Sequence, residues 1–251
     1  MASRPIFVVA GVGNASGTGG ASARVFSNAG YRVALIARGS DNLKKLAGEL
    51  TAAGGDAVAF PVANYSYQEV QTVFGAIRKH WPDGEIRAAL WNAAHGTWKP
   101  FLDITEEEVD ESLEINVKSA FAFSREAILS FKDLSLNDNG KRGTLIFTGA
   151  TASARGNTTT SVFAAGKFGL RALSQSLAKE FGKQNIHVTH AIIDGAIATD
   201  RQKERRDPEW FANADVRLDP ESIAKSYLYL AGQDRSAWTW ELDLRPAHEK
   251  W

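Results

Sequence analysis

A glycine-rich stretch follows the first apolar run and has the composition of a phosphate-binding turn. Residues 5–10 are apolar and β-branched, and Gly13, Gly17 and Gly19 precede a second apolar run at 21–26. Glycine permits positive φ and a close approach of the backbone, so N–H groups at a helix start can point at an anion. The stretch predicts a strand, a tight turn and a helix that bind a nucleotide phosphate. A glycine-rich turn without a ligand is the alternative.

Arg38 follows the apolar run 31–37 and indicates which dinucleotide the turn would hold. At the end of this strand an acidic side chain binds a ribose 2′-hydroxyl, whereas an arginine accommodates a 2′-phosphate. Ala37 occupies the acidic position, and Ser40 adds a hydroxyl close to the guanidinium. The sequence therefore favours NADP over NAD. The alternative is that Arg38 is an exposed loop residue.

Two histidines are candidates for proton chemistry. His95 follows the apolar run 86–91, at a position from which a proton donor could reach a ligand, and a surface loop position is the alternative. His190 lies inside an apolar run, which favours packing or a supporting role. The His, Asp and Glu residues form no cluster with the spacing of metal ligands, so we expect no metal.

The composition restricts the class of protein. The chain has 251 residues, 44% hydrophobic and 23% charged, which suits one large α/β domain. Lys and Arg number 29, as do Asp and Glu, so no net field attracts nucleic acid or an anionic membrane. Cysteine is absent, which excludes disulfides and thiolate sites. Without a signal-type segment or an apolar run near ~18 residues, we expect a cytoplasmic protein that acts on a small molecule.

Apolar runs alternate with stretches of helical periodicity along the chain. The predicted strands are 5–10, 31–37, 56–62, 86–91, 143–148, 186–193 and 238–244. The predicted helices begin near residues 21, 42, 66, 105, 158 and 219. The alternation predicts an α/β fold with a doubly wound parallel sheet of about seven strands, a Rossmann fold, as a single domain over 1–251.

Two further segments have a predicted role in this fold. The stretch around 195–218 is charged and weakly periodic, which predicts a lid over a substrate site rather than a core element. The helix that begins at residue 105 carries an apolar stripe. Its members are Val109, Leu113, Val117, Phe121, Ile128 and Phe131.

These motifs resemble those of short-chain dehydrogenases/reductases over essentially the whole chain. The family's Thr-Gly-x-x-x-Gly-x-Gly is matched by Val12-Gly13-Asn-Ala-Ser-Gly17-Thr-Gly19, and its Asn-Asn-Ala-Gly resembles Trp91-Asn92-Ala93-Ala94. Asn116 matches an asparagine that has a structural and catalytic role in the family. Asp194-Gly195-Ala-Ile197-Ala-Thr199 resembles the family segment that holds the nicotinamide carboxamide.

The chain departs from the family at its catalytic Tyr-x-x-x-Lys, which reads Phe163-Ala-Ala-Gly-Lys167. In the family the lysine also binds the nicotinamide ribose. Ala150 stands where the family has a substrate-binding serine, and Thr151 and Ser153 are the nearest hydroxyls. Phenylalanine cannot protonate an alkoxide, and the loss of such a donor typically costs ~10²–10⁴ in rate. A core-filling role is the alternative for Phe163.

The residues and the resemblance together predict two sets of site residues. The predicted cofactor ligands are Gly13, Ser16, Gly17, Thr18, Gly19, Arg38, Ser40, Asn64, Asn92, Lys167, Ile197 and Thr199. The predicted catalytic residues are Asn116, Lys167, Ser153, Phe163 and His95. The predicted activity is NADP(H)-dependent hydride transfer to or from a small organic carbonyl, imine or activated alkene. The alternatives are an NADP(H)-binding sensor or scaffold without redox turnover, and a non-redox catalyst that uses the cofactor as a scaffold.

The long helices also bear on assembly. They carry apolar residues over more positions than one sheet face can cover, and the last predicted strand is followed by Trp251. Resembling proteins associate through these elements, which implies a homodimer or homotetramer.

Overall fold

Seven parallel strands form one sheet in the order β3-β2-β1-β4-β5-β6-β7, in a computed structural model that describes residues 4–249. The strands are β1 Ile6–Ala10, β2 Arg32–Ala37, β3 Asp56–Pro61, β4 Ile86–Trp91, β5 Gly143–Thr148, β6 Ile186–Ile193 and β7 Glu241–Leu244. The central strand β1 pairs in parallel with both β2 and β4. The chain adds β2 and β3 on one side of β1 and β4 to β7 on the other, so the order of the strands reverses between β1 and β4. In such sheets ligands bind beyond the carboxyl ends of the strands at the reversal. The predicted doubly wound fold is confirmed.

Helices cover both faces of the sheet. They are α1 Thr18–Asn28, α2 Ser40–Ala52, α3 Tyr67–His80, α4 Glu106–Leu113, α5 Ser119–Phe131, α6 Ser161–Phe181, α7 Asp200–Lys203, α8 Pro208–Ala212 and α9 Pro220–Gly232. One core packs α3, α5 and α6 on the sheet, and the other packs α1, α2 and α9 on the opposite face. Because the strands are buried on both faces, they appear in the sequence as continuous apolar runs.

Short-range signals place several helix starts. The Ser66 side chain accepts a bond from the Glu69 N–H at 3.4 Å, which caps α3. Thr105 and Glu108 form a reciprocal capping box at the start of α4. Asp219 caps α9 through two backbone N–H groups. Each pair lies within three residues, so the sequence alone predicts it.

The helix predicted from residue 105 differs from the prediction. A π-helical turn at Glu114–Lys118 separates α4 from α5. The helix α6 approaches this turn closely, since a Cβ on Gly166 would lie 2.9 Å from the Asn116 Cβ. The small and polar side chains of Ser112, Asn116 and Ser119 are buried here. Of the predicted stripe, Leu113 is 42% exposed and Phe121 53%, whereas Ile128 and Phe131 are buried as predicted.

Two elements also begin later in the chain than predicted. The last strand begins at Glu241 instead of residue 238, and α6 begins at Ser161 instead of residue 158. Trp251, named above for assembly, lies outside the described residues. Within residues 4–249 no helix combines the length and apolar character needed to cross a membrane.

Candidate active site

A cleft of about 920 Å³ opens at the carboxyl edge of the sheet, beside the reversal point. Its floor is formed by the turn after β1 and by the ends of β4, β5 and β6. The start of α6 and the segment 195–218 form its walls. Of the predicted site residues, the cleft is lined by Gly13, Gly17, Thr18, Gly19, Asn92, Phe163, Lys167, Ile197 and Thr199.

The glycine turn presents backbone and a hydroxyl to this cleft. Gly13 adopts φ +62° in open space, so glycine is favoured there by the backbone conformation and not by crowding. Gly17 is the N-cap of α1. Because glycine has no side chain, the first backbone N–H groups of α1 have no side-chain acceptor at this position. The buried Thr18 Oγ1 also has no hydrogen-bond partner. A phosphate oxygen would satisfy both kinds of donor, so the turn fits the diphosphate of a dinucleotide.

Polar side chains link this turn to its neighbours. Asn92 Nδ2, at the end of β4, donates to the Gly11 carbonyl at 2.7 Å. Ser16 does not line the cleft, but its Oγ accepts from the Asp200 N–H at 3.1 Å. Thr199 caps the short helix α7. The segment after β6 is therefore held against the turn.

Lys167 and Phe163 lie in the same wall, one helical turn apart. Lys167 is 3% exposed and its Nζ donates to the Thr148 carbonyl at 2.8 Å. Burial lowers the pKa of Lys167 to about 8. The Phe163 ring centre lies 5.8 Å from this Nζ and 5.1 Å from the Trp98 ring centre. Phe163 belongs to neither core and faces the cleft, where it forms an apolar wall with Trp98.

Asn116 lies behind the cleft, in the π turn. Its Nδ2 donates to the His95 carbonyl at 2.7 Å and to Ser112 Oγ at 3.1 Å. Its Oδ1 accepts from the His95 N–H at 3.4 Å. The side chain thus fixes the loop after β4 and does not line the cleft.

The structure does not bring His95 and Arg38 to the cleft wall. His95 Nδ1 lies 3.2 Å from Glu111 Oε1, and Arg38 Nη1 lies 3.8 Å from the same oxygen. His95 Nε2 is 3.2 Å from Thr97 Oγ1. Glu111 therefore contacts both predicted site residues. No local sequence pattern predicts this contact, because 73 positions separate Glu111 from Arg38.

Three predicted hydroxyl and amide residues also have local partners. Ser40 Oγ donates to Asp41 at 3.1 Å, and Asn64 Oδ1 accepts from the Ser66 N–H at 2.8 Å. Ser153 is fully buried and its Oγ accepts from the Ala150 N–H at 3.1 Å. None of the three lines the cleft.

Thr151 is the hydroxyl that reaches the cleft in place of Ser153. It donates its only hydroxyl proton to Asp194 Oδ1 at 2.5 Å. Arg155 and Arg245 lie 3.2 and 3.0 Å from the same carboxylate. Because that proton is engaged, Thr151 offers lone pairs to a ligand and no donor.

A partly buried network behind the cleft joins His190, for which the sequence predicts packing or a supporting role, to partners distant in sequence. Arg171 binds Glu241 through two bonds of 2.6 and 2.7 Å, and Glu241 lies 3.0 Å from His190 Nδ1. A Cβ on Gly149 would lie 2.4 Å from His190 Nε2. Burial lowers the pKa of His190 to about 4, so the ring is neutral near pH 7. The bonds between Arg171 and Glu241 connect α6 to the edge strand β7.

Comparison with known proteins agrees with this geometry. The model of the short chain dehydrogenase family matches residues 7–210, which include the glycine turn, Asn116 and Lys167. The chain belongs to the short-chain dehydrogenase family. The resemblance inferred from the motifs is thereby confirmed.

Individual relatives of this short-chain dehydrogenase are oxidoreductases. Human 3-oxoacyl-[acyl-carrier-protein] reductase is 30% identical over 201 residues, 80% of this chain and 79% of that protein. An NADPH-dependent 1-acyldihydroxyacetone phosphate reductase of Saccharomyces cerevisiae is 27% identical over 210 residues, 83% of this chain and 67% of that protein. The crystal structure of a short-chain dehydrogenase from Rhodopseudomonas palustris has a TM-score of 0.78 at 30% identity, covering 96% of this chain and 98% of that one.

Proposed function

We propose that this chain is an NADP(H)-dependent oxidoreductase that transfers hydride to or from a small organic carbonyl, imine or activated alkene. The observation that carries the proposal is the convergence of the glycine turn, Asn92, Lys167 and Thr199 on one cleft with an apolar wall. Nicotinamide cofactors are used throughout the family, and the yeast relative is NADPH-dependent by name. A bound nicotinamide would supply or accept the hydride.

The preference for NADP rests on Arg38. It follows β2, next to Ala37, and its side chain is 53% exposed. A guanidinium can bind a 2′-phosphate through several N–H donors, and no carboxylate stands at the position that would accept a ribose 2′-hydroxyl. Glu111 is the one competing anion that lies within ion-pair distance of Arg38 in the described chain. A 2′-phosphate would displace this weak, exposed pair.

Lys167 is the group best suited to hold the proton that a reduced carbonyl takes up. Phe163 has no proton to give, and the Thr151 proton is engaged by Asp194. The Thr148 hydroxyl lies 2.9 Å from the buried Tyr227 hydroxyl and is paired with it. The Lys167 ammonium has a pKa near 8, so it is protonated at neutral pH yet releases a proton readily.

The experiment is a titration of the full chain with NADPH and NADH, followed by a turnover assay. Binding is read from NADPH fluorescence, and turnover from NADPH absorbance with a panel of ketones, cyclic imines and enones. We expect tighter binding of NADPH and oxidation of NADPH with at least one class. Tight NADPH binding without turnover over the whole panel would support the sensor or scaffold alternative instead. Absence of NADPH binding would contradict both.

A further inference from the structure

The titratable side chains that line the cleft all have the same sign. They are Lys167 and three arginines of the segment 195–218, namely Arg201, Arg205 and Arg206. Among the described residues no Asp or Glu lines the cleft, although the whole chain carries 29 acidic and 29 basic residues. A neutral molecule with a cationic cleft concentrates anions at that cleft.

These arginines form no ion pair with the described part of the chain. Within residues 4–249, no carboxylate lies within 4.0 Å of Arg201, Arg205 or Arg206. Arg206 donates to Gln202 Oε1 at 3.4 Å, and its guanidinium lies 5.1 Å from the Trp210 ring centre. A stacked guanidinium is held in place and still has N–H donors for a ligand.

The arginines differ in their distance along the chain from the glycine turn. Asp200 binds Ser16 of the turn, and Arg201 is its immediate neighbour. Arg205 and Arg206 lie a helical turn or more beyond this contact. The diphosphate already has the N–H groups of α1 and the free Thr18 hydroxyl, so it does not require these two side chains.

The cleft wall formed by Trp98 and Phe163 is apolar. A ligand with an apolar body and an acidic group can pack on this wall and also pair with the arginines. We propose that the substrates are organic anions, carboxylates or phosphates, whose charged group is bound by Arg205 and Arg206. This inference rests on the proposed function and specifies its substrate class. The competing explanation is that the same arginines bind the diphosphate of the cofactor.

The test compares two probes of equal shape, 2-naphthoate and 2-naphthamide, by calorimetry with the full chain, both alone and saturated with NADP⁺. We expect the naphthoate to bind at least about tenfold more tightly, and its affinity to fall with added salt. In the double variant Arg205→Gln and Arg206→Gln this preference disappears. The control is Lys203→Gln, because Lys203 lies on the same segment, contacts the Phe211 ring and does not line the cleft.

NADPH affinity, measured on the same proteins, distinguishes binding of an anionic substrate by these arginines from binding of the cofactor diphosphate. We expect the double variant to bind NADPH within about twofold of the wild type. Equal binding of the two probes by the wild type overturns the inference, as does a double variant that weakens NADPH and keeps the naphthoate preference. Because the probes are not turned over, failure of the redox assay with an intact naphthoate preference would count against the proposed activity alone.

Discussion

We expect Phe163 to limit which acceptors the cleft can reduce. A phenol at this position would lie one helical turn from Lys167, whose ammonium would lower the phenol pKa. We expect Phe163→Tyr to raise ketone reduction by ~10²-fold, the usual effect of a general acid. Reduction of a preformed iminium, which needs no proton, should stay unchanged or fall through crowding. The measurement is kcat/KM for matched ketone and iminium substrates.

The control for this substitution is Phe168→Tyr, because Phe168 lies on the same helix and is 43% exposed. Fast ketone reduction by the wild type that neither Phe163→Tyr nor His95→Gln alters would contradict the argument, since Lys167 would then suffice as the donor without a phenol.

We expect Lys167 to give ketone reduction its pH dependence. Its ammonium holds the proton below a pKa of about 8 and has lost it above. We therefore expect kcat/KM for ketone reduction to decline above about pH 8. In Lys167→Arg, which stays charged over this range, the decline should be absent and the rate lower throughout. A wild-type profile that is flat from pH 7 to pH 10 would assign the proton to another group.

Arg38 and Glu111 have opposite effects on the 2′-phosphate. We expect Arg38→Ala to weaken NADPH binding by roughly 1.5–3 kcal/mol, the worth of a charge-assisted hydrogen bond, with little effect on NADH. Glu111→Gln removes the carboxylate that competes for Arg38 and should strengthen NADPH binding about two- to fivefold. The effect is small because the Arg38–Glu111 ion pair is exposed. Fluorescence titration with both cofactors measures the two effects. Equal wild-type affinities for NADPH and NADH would refute the preference.

Among the elements, we expect the junction of α6 with β7 to make folding sensitive to acid. The pKa of His190 is lowered to about 4 from 6.5, chiefly by burial, with Lys167 and Arg171 adding to the effect and Glu241 opposing it. The unfolded chain binds more protons between these values, so the free energy of unfolding falls as the pH drops from about 6.5 towards 4. The pKa of His187 is lowered to about 4 as well, also by burial.

We expect His190→Gln to remove roughly half of this pH dependence, measured by urea unfolding at a series of pH values. Its control is His248→Gln, because the His248 side chain is 66% exposed. Equal slopes of stability against pH in the two variants would show that His190 does not cause the acid sensitivity.

Elements whose signals are local could be predicted, whereas side-chain partners distant in sequence could not. The caps at Ser66 and Thr105 need only a neighbour three residues away, and the strands need only continuous apolar runs. The pair His190–Glu241 spans 51 positions, and its formation depends on β7 joining β6. The π turn likewise lies where α6 approaches Asn116, and this contact joins residues 50 positions apart.

The candidate site shows the same division. The glycine turn, Asn92 and Lys167 were predicted because motif position fixes them at strand ends or on a helix face. The burial of Ser153 depends instead on how its short loop turns, and so does the engagement of Thr151 by Asp194. These outcomes follow from packing around the cleft and left no pattern in the sequence.

In the whole molecule, three neighbouring helices in the chain each carry a large exposed apolar side chain. Leu113, Phe121 and Phe168 are 42%, 53% and 43% exposed on α4, α5 and α6. We expect these helices to form the interface of a homodimer or homotetramer, which light scattering at micromolar concentration will detect. Phe121→Asp should shift the protein to a smaller species. The control is Tyr67→Asp, since Tyr67 is 43% exposed on α3. A monomeric wild type would refute the expectation.

The contacts of Asp200 bear on how the cofactor would exchange. Its N–H binds Ser16, and Asn14 Nδ2 lies 3.5 Å from its carboxylate, so the start of the segment 195–218 is held against the turn that would carry the cofactor. We expect a dinucleotide seated there to leave more easily once these two bonds break. Opening of the segment at Asp200 should therefore accelerate cofactor exchange.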